Sequence, residues 1–147
     1  MEHNLTAQTM LEEIASNVLN PQTENKEVYR IGDLAREFNV SLRTLRFYED
    51  RGLIHPNRAG STRLYSNEDR TRLTVILLAK NVGFSLVDIQ ELLKIYDGES
   101  LDGDLQEIQK KFKTQLDSLK VQKYEIETCI SDLEQALKTI SSKTVSA

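Results

Sequence analysis

The 147-residue chain is poor in cysteine, histidine and proline, and it has no tryptophan. Its single cysteine, Cys129, excludes a framework of internal disulfides. Together with His3 and His55 it offers too few ligands for a tetrahedral zinc site within one chain, so we predict no metal and no cofactor. No run reaches the ~20 apolar residues that span a bilayer, and the N-terminus lacks a basic segment followed by an apolar core. We therefore predict a cytoplasmic protein without membrane contact.

The formal net charge is −4, but the basic residues are distributed unevenly by type. Between residues 41 and 72 every basic residue is an arginine, whereas between residues 98 and 147 every basic residue is a lysine. Arginine forms bidentate hydrogen bonds to phosphates and base edges, while lysine acts mainly as a hydrated point charge. The arginine-rich stretch therefore indicates a polyanionic partner more strongly than the total charge argues against one.

The stretch from Ser41 to Gly52 predicts a helix of about three turns. Ser41 is a good N-cap because its hydroxyl can accept a hydrogen bond from the backbone, and Gly52 ends helices well because it tolerates a left-handed conformation. Arg43, Arg46 and Phe47 share the face opposite the two leucines, Leu42 and Leu45. Such a face suits a helix that enters nucleic acid. On this stretch alone, a solvated basic face with one exposed phenylalanine remains open.

The residues before this helix predict a shorter one over Tyr29–Phe38, with apolar side chains at helical spacing. Asn39 and Val40 form the turn between them, since asparagine can adopt a left-handed conformation. Two short helices joined by so tight a turn predict a helix-turn-helix, in which the second helix reads the groove.

The residues after it predict a small β-hairpin, or wing. Gly60 supplies a turn, Arg58 precedes the turn, and Arg63 and Tyr65 follow it. The open alternative is a surface loop. Arginines on both arms of a hairpin that follows a reading helix favour DNA binding.

Two further helices are predicted by serines that begin capping boxes, each with aspartate three residues later. The first follows Ser66 and runs to about Asn81, and the second follows Ser85 and stops at Gly98. We expect their residues to be structural, with Lys80 able to contact phosphate.

From Leu105 to Ile140 the chain has no proline or glycine and carries one apolar stripe. A single long helix with one apolar stripe is not stable alone, so it must pack on something, most simply a second copy of the chain. The steps from Leu116 onward fit a heptad that only Lys123 breaks. The residues expected in the dimer contact are Leu105, Ile108, Phe112, Leu116, Leu119, Ile126, Ile130, Leu133, Leu137 and Ile140.

The remaining segments read as connections and tails. Residues 1–28 are expected to be a peripheral, partly flexible extension with a possible short helix over about 7–19 and a linker over 20–25. The acidic, glycine-containing residues 99–104 are expected to be a linker, and residues 142–147 a flexible tail.

Together these pieces resemble the MerR family of bacterial transcription regulators. The matching signatures are Arg46-Phe47-Tyr48-Glu49, Gly52-Leu53, the wing from Arg58 to Tyr65, and Val82-Gly83-Phe84-Ser85. The resemblance implies a mainly α fold, with a winged helix-turn-helix DNA-binding domain over residues 29–98 and a long dimerisation helix over 105–141 that forms an antiparallel coiled coil.

The resemblance also implies a function and its residues. A homodimer would bind a pseudo-palindromic promoter site in double-stranded DNA, distort the duplex and so control engagement by RNA polymerase, with the protein on the nucleoid of a bacterial cytoplasm when bound. The implied DNA contacts are Ser41, Arg43, Thr44, Arg46 and Tyr48 from the recognition helix, and Arg58, Arg63 and Tyr65 from the wing, beside Lys80.

The effector stays unknown. Metal sensors of the family carry cysteines at the start of the dimerisation helix and in a loop after it, whereas residues 101–108 and the tail have none. Cys129 reads as a small apolar side chain beside the seam. The wing looks most like the branch that regulates branched-chain amino acid and related acyl catabolism.

The alternative function is an architectural or partner-binding coiled-coil protein whose winged helix binds DNA without controlling transcription. An enzyme is not predicted, because no carboxylate pair, Ser/His/Asp set or glycine-rich phosphate loop is present.

Overall fold

The computed structural model describes residues 6–19, 27–99 and 105–145. Contacts divide the chain into two units, Met1–Ile108 and Gln109–Ala147. In the described ranges no helix is long and apolar enough to cross a bilayer. The elements in order are α1 Ala7–Leu19, β1 Val28–Arg30, α2 Ile31–Phe38, α3 Leu42–Asp50, β2 Asn57–Ala59, β3 Thr62–Ser66, α4 Asn67–Asn81, α5 Leu86–Tyr96 and α6 Leu105–Val145.

The predicted helix starts and turns are confirmed by their cap geometry. The Ser41 hydroxyl accepts the backbone N–H of Thr44 at 3.0 Å. Ser66 and Ser85 each form a complete capping box with the aspartate three residues later. Asn39 adopts φ 52°, the left-handed turn that separates α2 from α3. The local sequence therefore fixes where these helices begin.

The predicted wing is confirmed, but it belongs to a larger sheet. Three antiparallel strands lie in the order β1-β3-β2. Arg58 pairs with Arg63 across the wing, and Tyr29 pairs with Tyr65 across the other edge of β3. The expectation that Tyr29 begins a helix is therefore wrong. Tyr29 and Arg30 take the extended conformation because β3 supplies a distant hydrogen-bonding edge, which local spacing does not reveal.

Helix α4 lies at the centre of the first unit. Every residue from Leu73 to Ala79 is buried, so the one-sided stripe expected for this helix is instead burial on all sides. Helices α1 and α5 and strands β1 and β3 all pack against it.

Helix α1 confirms the short helix expected over residues 7–19 but corrects its peripheral role. Leu11 and Ala15 are fully buried, and α1 packs on both α4 and α5. The Tyr96 hydroxyl of α5 donates a 2.9 Å hydrogen bond to Glu12. The flexible parts and the linker expected within residues 1–5 and 20–26 lie outside the described residues.

Helix α6 differs from expectation at both ends. It continues to Val145, so the flexible tail expected from residue 142 is wrong as far as residue 145. Ile108 is only 3% exposed and belongs to the first unit, so it is a core residue rather than a free part of the expected dimer contact. Residues 100–104 of the expected linker, and residues 146 and 147, lie outside the described ranges.

The packing of α1 predicts the effect of truncating its buried leucine. Leu11→Ala is expected to lower the free energy of unfolding by about 2–5 kcal/mol, because it leaves a cavity against α4 and α5. Val18→Ala on the same helix removes an exposed side chain and is expected to change it by less than about 0.5 kcal/mol. Urea denaturation measures both values, and equal small effects would contradict the packing of α1.

Candidate nucleic-acid interface

The recognition helix α3 turns one face to the core and the other to solvent. Leu45 and Tyr48, three residues apart, are buried, whereas Leu42 is exposed. The pairing of Leu42 with Leu45 on one apolar face is therefore wrong, and Tyr48 takes that place. Arg43, Arg46 and Phe47 face outward as predicted, with the Arg51 guanidinium 5.2 Å from the centre of the Phe47 ring.

The expected contact through Tyr65 is corrected by its burial. Tyr65 is 1% exposed, and its hydroxyl has no hydrogen-bond partner among the described residues. Burial, followed by the negative charge of Glu49, raises the pKa of Tyr65 to about 12. The hydroxyl therefore does not reach the surface where a phosphate would lie. Burial likewise raises the pKa of Tyr48, whose ring lies mostly in the core.

The wing is held to the recognition helix by Glu49, a residue that the sequence analysis did not assign. Arg58 Nη2 donates to Glu49 Oε1 at 3.1 Å, and Arg63 Nε donates to Glu49 Oε2 at 2.5 Å. Partial burial raises the pKa of Glu49, but the hydrogen bonds and charges of the two arginines outweigh it and hold the pKa below its ordinary value. Both arms of the wing are thus attached to one carboxylate of α3.

Two arginines of the basic stretch are structural. Arg70 Nε donates to the two Glu37 carboxylate oxygens at 3.1 and 3.0 Å, with a further contact through Nη2. Its hydrogen bonds to Glu37 raise the pKa of Arg70. Arg72 donates to the Leu53 carbonyl at 2.6 Å and pairs with Asp97. The density of arginines between residues 41 and 72 therefore overstates the charge available to a partner.

The two arginines of the recognition helix, Arg43 and Arg46, differ from Arg70 and Arg72 in having no structural role. Arg43 and Arg46 are exposed, and neither pairs with a carboxylate in the described part of the chain. They lie three residues apart on the same outward face of α3. Arg46 lies on the wing side, within electrostatic reach of Tyr65. Arg43 lies at a groove towards α5.

That groove has a volume of about 370 Å³ and a mostly apolar lining. Lys80, at the last turn of α4, is exposed beside it, and its contact with phosphate stays a prediction. Ser41 and Thr44 lie at the start of α3, where their hydroxyl oxygens are 2.9 Å apart. The groove is lined by Arg43, Thr44, Phe47, Tyr48, Lys80, Leu86 and Ile89.

Most of the residues expected to contact DNA therefore lie on or beside the outward face of one helix. Arg43, Thr44 and Lys80 lie on the α5 side, and Arg46 lies on the wing side with Arg58 and Arg63 beyond it. The missed residue, Glu49, had a signal in the sequence, because two arginines facing each other on a hairpin repel and favour a nearby anion.

The arrangement of α2, α3 and the hairpin defines a winged helix-turn-helix. Two family profiles match the chain: "MerR HTH family regulatory protein" over residues 29–95 and "MerR, DNA binding" over residues 70–141. The HTH-type transcriptional regulator HmrR of Rhizobium leguminosarum bv. viciae is 32% identical over 89 residues, which cover 59% of this chain and 69% of HmrR. The chain therefore belongs to the MerR family, and the resemblance given by its motifs is confirmed.

Two more comparisons agree with this family. The mercuric resistance operon regulatory protein of Pseudomonas fluorescens is 41% identical over 76 residues, which are 50% of this chain and 53% of that protein. The chain thus spans about half the length of the mercuric resistance regulators it matches. The structure of HiNmlR, a MerR family regulator lacking the sensor domain, bound to promoter DNA, has a TM-score of 0.56 at 26% identity and covers 71% of this chain and 79% of HiNmlR. These proteins are regulators rather than enzymes.

The division of the arginines into structural and exposed ones predicts unequal effects of substitution on the free energy of unfolding. Arg70→Gln is expected to lower the free energy of unfolding by about 3 kcal/mol, because it leaves the Glu37 carboxylate mostly buried without its main partner. Arg43→Gln is expected to change it by less than about 0.5 kcal/mol. Urea denaturation distinguishes them, and similar losses for both variants would refute the division.

Proposed function

We propose that this protein is a sequence-specific transcription regulator that binds a pseudo-palindromic promoter site as a homodimer. The observation that carries the proposal is the outward pair Arg43 and Arg46 on the second helix of a helix-turn-helix, with an arginine wing attached beside it. HiNmlR, which has a similar fold, was solved on promoter DNA. A protein that acts on a bacterial promoter would function in the cytoplasm.

The dimensions of α3 suit the major groove. That groove is about 12 Å wide and admits one helix. Arginine is the commonest side chain to bind guanine edges, and a helix whose outward residues are Arg43, Thr44 and Arg46 presents such groups near its start. Arg58 of the wing and Lys80 at the end of α4 would bind phosphates on either side, which fixes the orientation of α3 without reading sequence.

The dimer is proposed from the second unit. Helix α6 has 41 residues and therefore extends for about 60 Å. Its heptad side chains are exposed in the single chain, and a helix with such a stripe needs a partner. Apart from Lys123, which would face Leu133, the stripe from Leu116 to Ile140 is symmetrical about residue 128. An antiparallel pairing therefore places Leu116 opposite Ile140, Leu119 opposite Leu137, and Ile126 opposite Ile130. A second copy satisfies this pattern without any other partner.

Two copies would present two recognition helices and two wings to one site. Bending or untwisting a site of 20–30 base pairs costs on the order of 1–6 kcal/mol, which extra phosphate contacts from the wings can offset. We propose that this distortion changes how RNA polymerase engages the promoter, as the family resemblance implies. The proposed DNA contacts remain Ser41, Arg43, Thr44, Arg46, Arg58, Arg63 and Lys80, with Tyr48 and Tyr65 supporting them from the core.

Arg46 provides the first test. Arg46→Ala is expected to weaken binding to a promoter duplex recovered by genomic mapping about 5- to 150-fold, since one bidentate base contact contributes about 1–3 kcal/mol. Fluorescence anisotropy measures the affinity. Arg36→Ala is the control, because Arg36 is an exposed arginine of α2 paired with Asp33. Equal affinities for the two variants would contradict recognition through α3.

The dimer is tested by charge substitution on and off the stripe. Ile130→Lys is expected to give a monomer with much weaker promoter binding, because it places a charge at the centre of the apolar seam. Val121→Lys is the matched control: both side chains are exposed in the single chain, 50% for Ile130 and 58% for Val121, but Val121 lies off the heptad. Sedimentation equilibrium measures the mass. A dimer for Ile130→Lys would exclude the proposed pairing.

A further inference from the structure

The wing contains an electrostatic conflict. Arg58 and Arg63 are direct partners across β2 and β3, so two guanidinium groups lie opposite each other on a hairpin of only a few residues. Like charges directly opposite destabilise an antiparallel pair. An anion between these two side chains therefore stabilises the hairpin.

Glu49 supplies that anion. It uses a different carboxylate oxygen for each arginine, Oε1 for Arg58 and Oε2 for Arg63. One group with two acceptor oxygens that binds two arginines is the arrangement with which proteins also hold a phosphate. In the free protein, the carboxylate thus fills an anion site formed by the wing.

A carboxylate at this position does not stabilise helix α3. Glu49 is the penultimate residue of α3, where the negative end of the helix dipole disfavours a carboxylate. The two arginines overcome this penalty, since the pKa of Glu49 lies below its ordinary value. Glu49 therefore stabilises the position of the wing and not the helix to which it belongs.

The two ion pairs are unequal. The Arg63 side chain is 24% exposed and the Arg58 side chain 55%, while Glu49 is 15% exposed. Arg58 can turn towards solvent at small cost, whereas Arg63 is held beside α3.

We propose that Glu49 is an internal substitute for a DNA phosphate and a specificity-determining residue of the wing, an inference that rests on the proposed DNA-binding function. In the free protein Glu49 holds both arginines. On the correct site a backbone phosphate takes Arg58 from Glu49, while Arg63 stays and keeps the wing in position. On other sequences, the affinity depends on phosphate contacts alone, and competition from the Glu49 carboxylate for Arg58 lowers that affinity.

The test compares Glu49→Gln with the unsubstituted protein on two probes. One is the promoter duplex recovered by genomic mapping, and the other is a 30-base-pair duplex of scrambled sequence. Glu49→Gln is expected to bind the scrambled duplex about tenfold more tightly at 50 mM salt, with a log–log salt slope steeper by about 0.9, because one more arginine is free for phosphate. Affinity for the promoter duplex is expected to change less, so the ratio of the two affinities falls.

Two further variants identify the source of any change. Asp50→Asn removes the same charge from the adjacent, exposed residue of α3 and is expected to leave the salt slope unchanged. The double variant Glu49→Gln with Arg58→Gln is expected to return the slope for the scrambled duplex to the wild-type value. Circular dichroism and thermal midpoints show whether each variant is folded.

The single variant Arg58→Gln keeps the Glu49–Arg63 pair and provides a second test if Glu49→Gln unfolds. Arg58→Gln is expected to lower the salt slope for the promoter duplex by about 0.9.

Three results would overturn the proposal. Weaker binding of Glu49→Gln to both duplexes with an unchanged slope would mean that Glu49 only anchors the wing. Equal behaviour of Glu49→Gln and Asp50→Asn would mean that only the overall charge matters. If Glu49→Gln is unfolded, an unchanged slope for Arg58→Gln would exclude the exchange. A wild-type protein without salt-dependent binding to either duplex would instead refute the proposed function itself.

Discussion

The position of the helix-turn-helix depends on the ion pair between Arg70 and Glu37. The pair joins α2 to the buried helix α4, and both side chains are mostly buried. The Arg70 guanidinium also lies 5.7 Å from the centres of the Tyr29 and Phe38 rings, so one cation connects β1, α2 and α4. Because α3 follows α2 after only a three-residue turn, fixing α2 on α4 also fixes the outward face of α3. A buried charge with several partners favours this single arrangement over others.

The parts of the fold that the sequence predicts are those fixed by local chemistry. Ser41, Ser66 and Ser85 begin helices because a hydroxyl and a backbone N–H a few residues apart meet in any context. Strand β1 and the burial of α1 were missed for the opposite reason. Each depends on a surface supplied by residues far along the chain, β3 in one case and α4 with α5 in the other. A periodic pattern identifies an apolar face but not the surface that covers it.

The same limit applies to charge in the candidate interface. Arginine identity predicts a capacity for bidentate hydrogen bonding, but not which anion is bound. In this chain Glu37, Asp97 and Glu49 bind four of the seven arginines between residues 41 and 72. Only the tertiary structure shows that Arg43 and Arg46 are exposed without a carboxylate partner among the described residues, and that Arg51 lies over the Phe47 ring. It also shows that the two wing arginines are already paired.

Ion pairs between the wing arginines and Glu49 suit a DNA-binding protein that must discriminate among sites. A genome presents a vast excess of incorrect sites, so the useful quantity is the ratio of specific to non-specific affinity. Non-specific affinity comes almost entirely from phosphate contacts, and each free cation raises it. This chain has a net charge of −4, and the Glu49 carboxylate lies among its wing arginines. Both features limit the contribution of phosphate contacts to non-specific affinity. The cost is weaker attraction to every duplex. In the proposed dimer, two recognition helices and two wings would offset it only on a site where all four fit together.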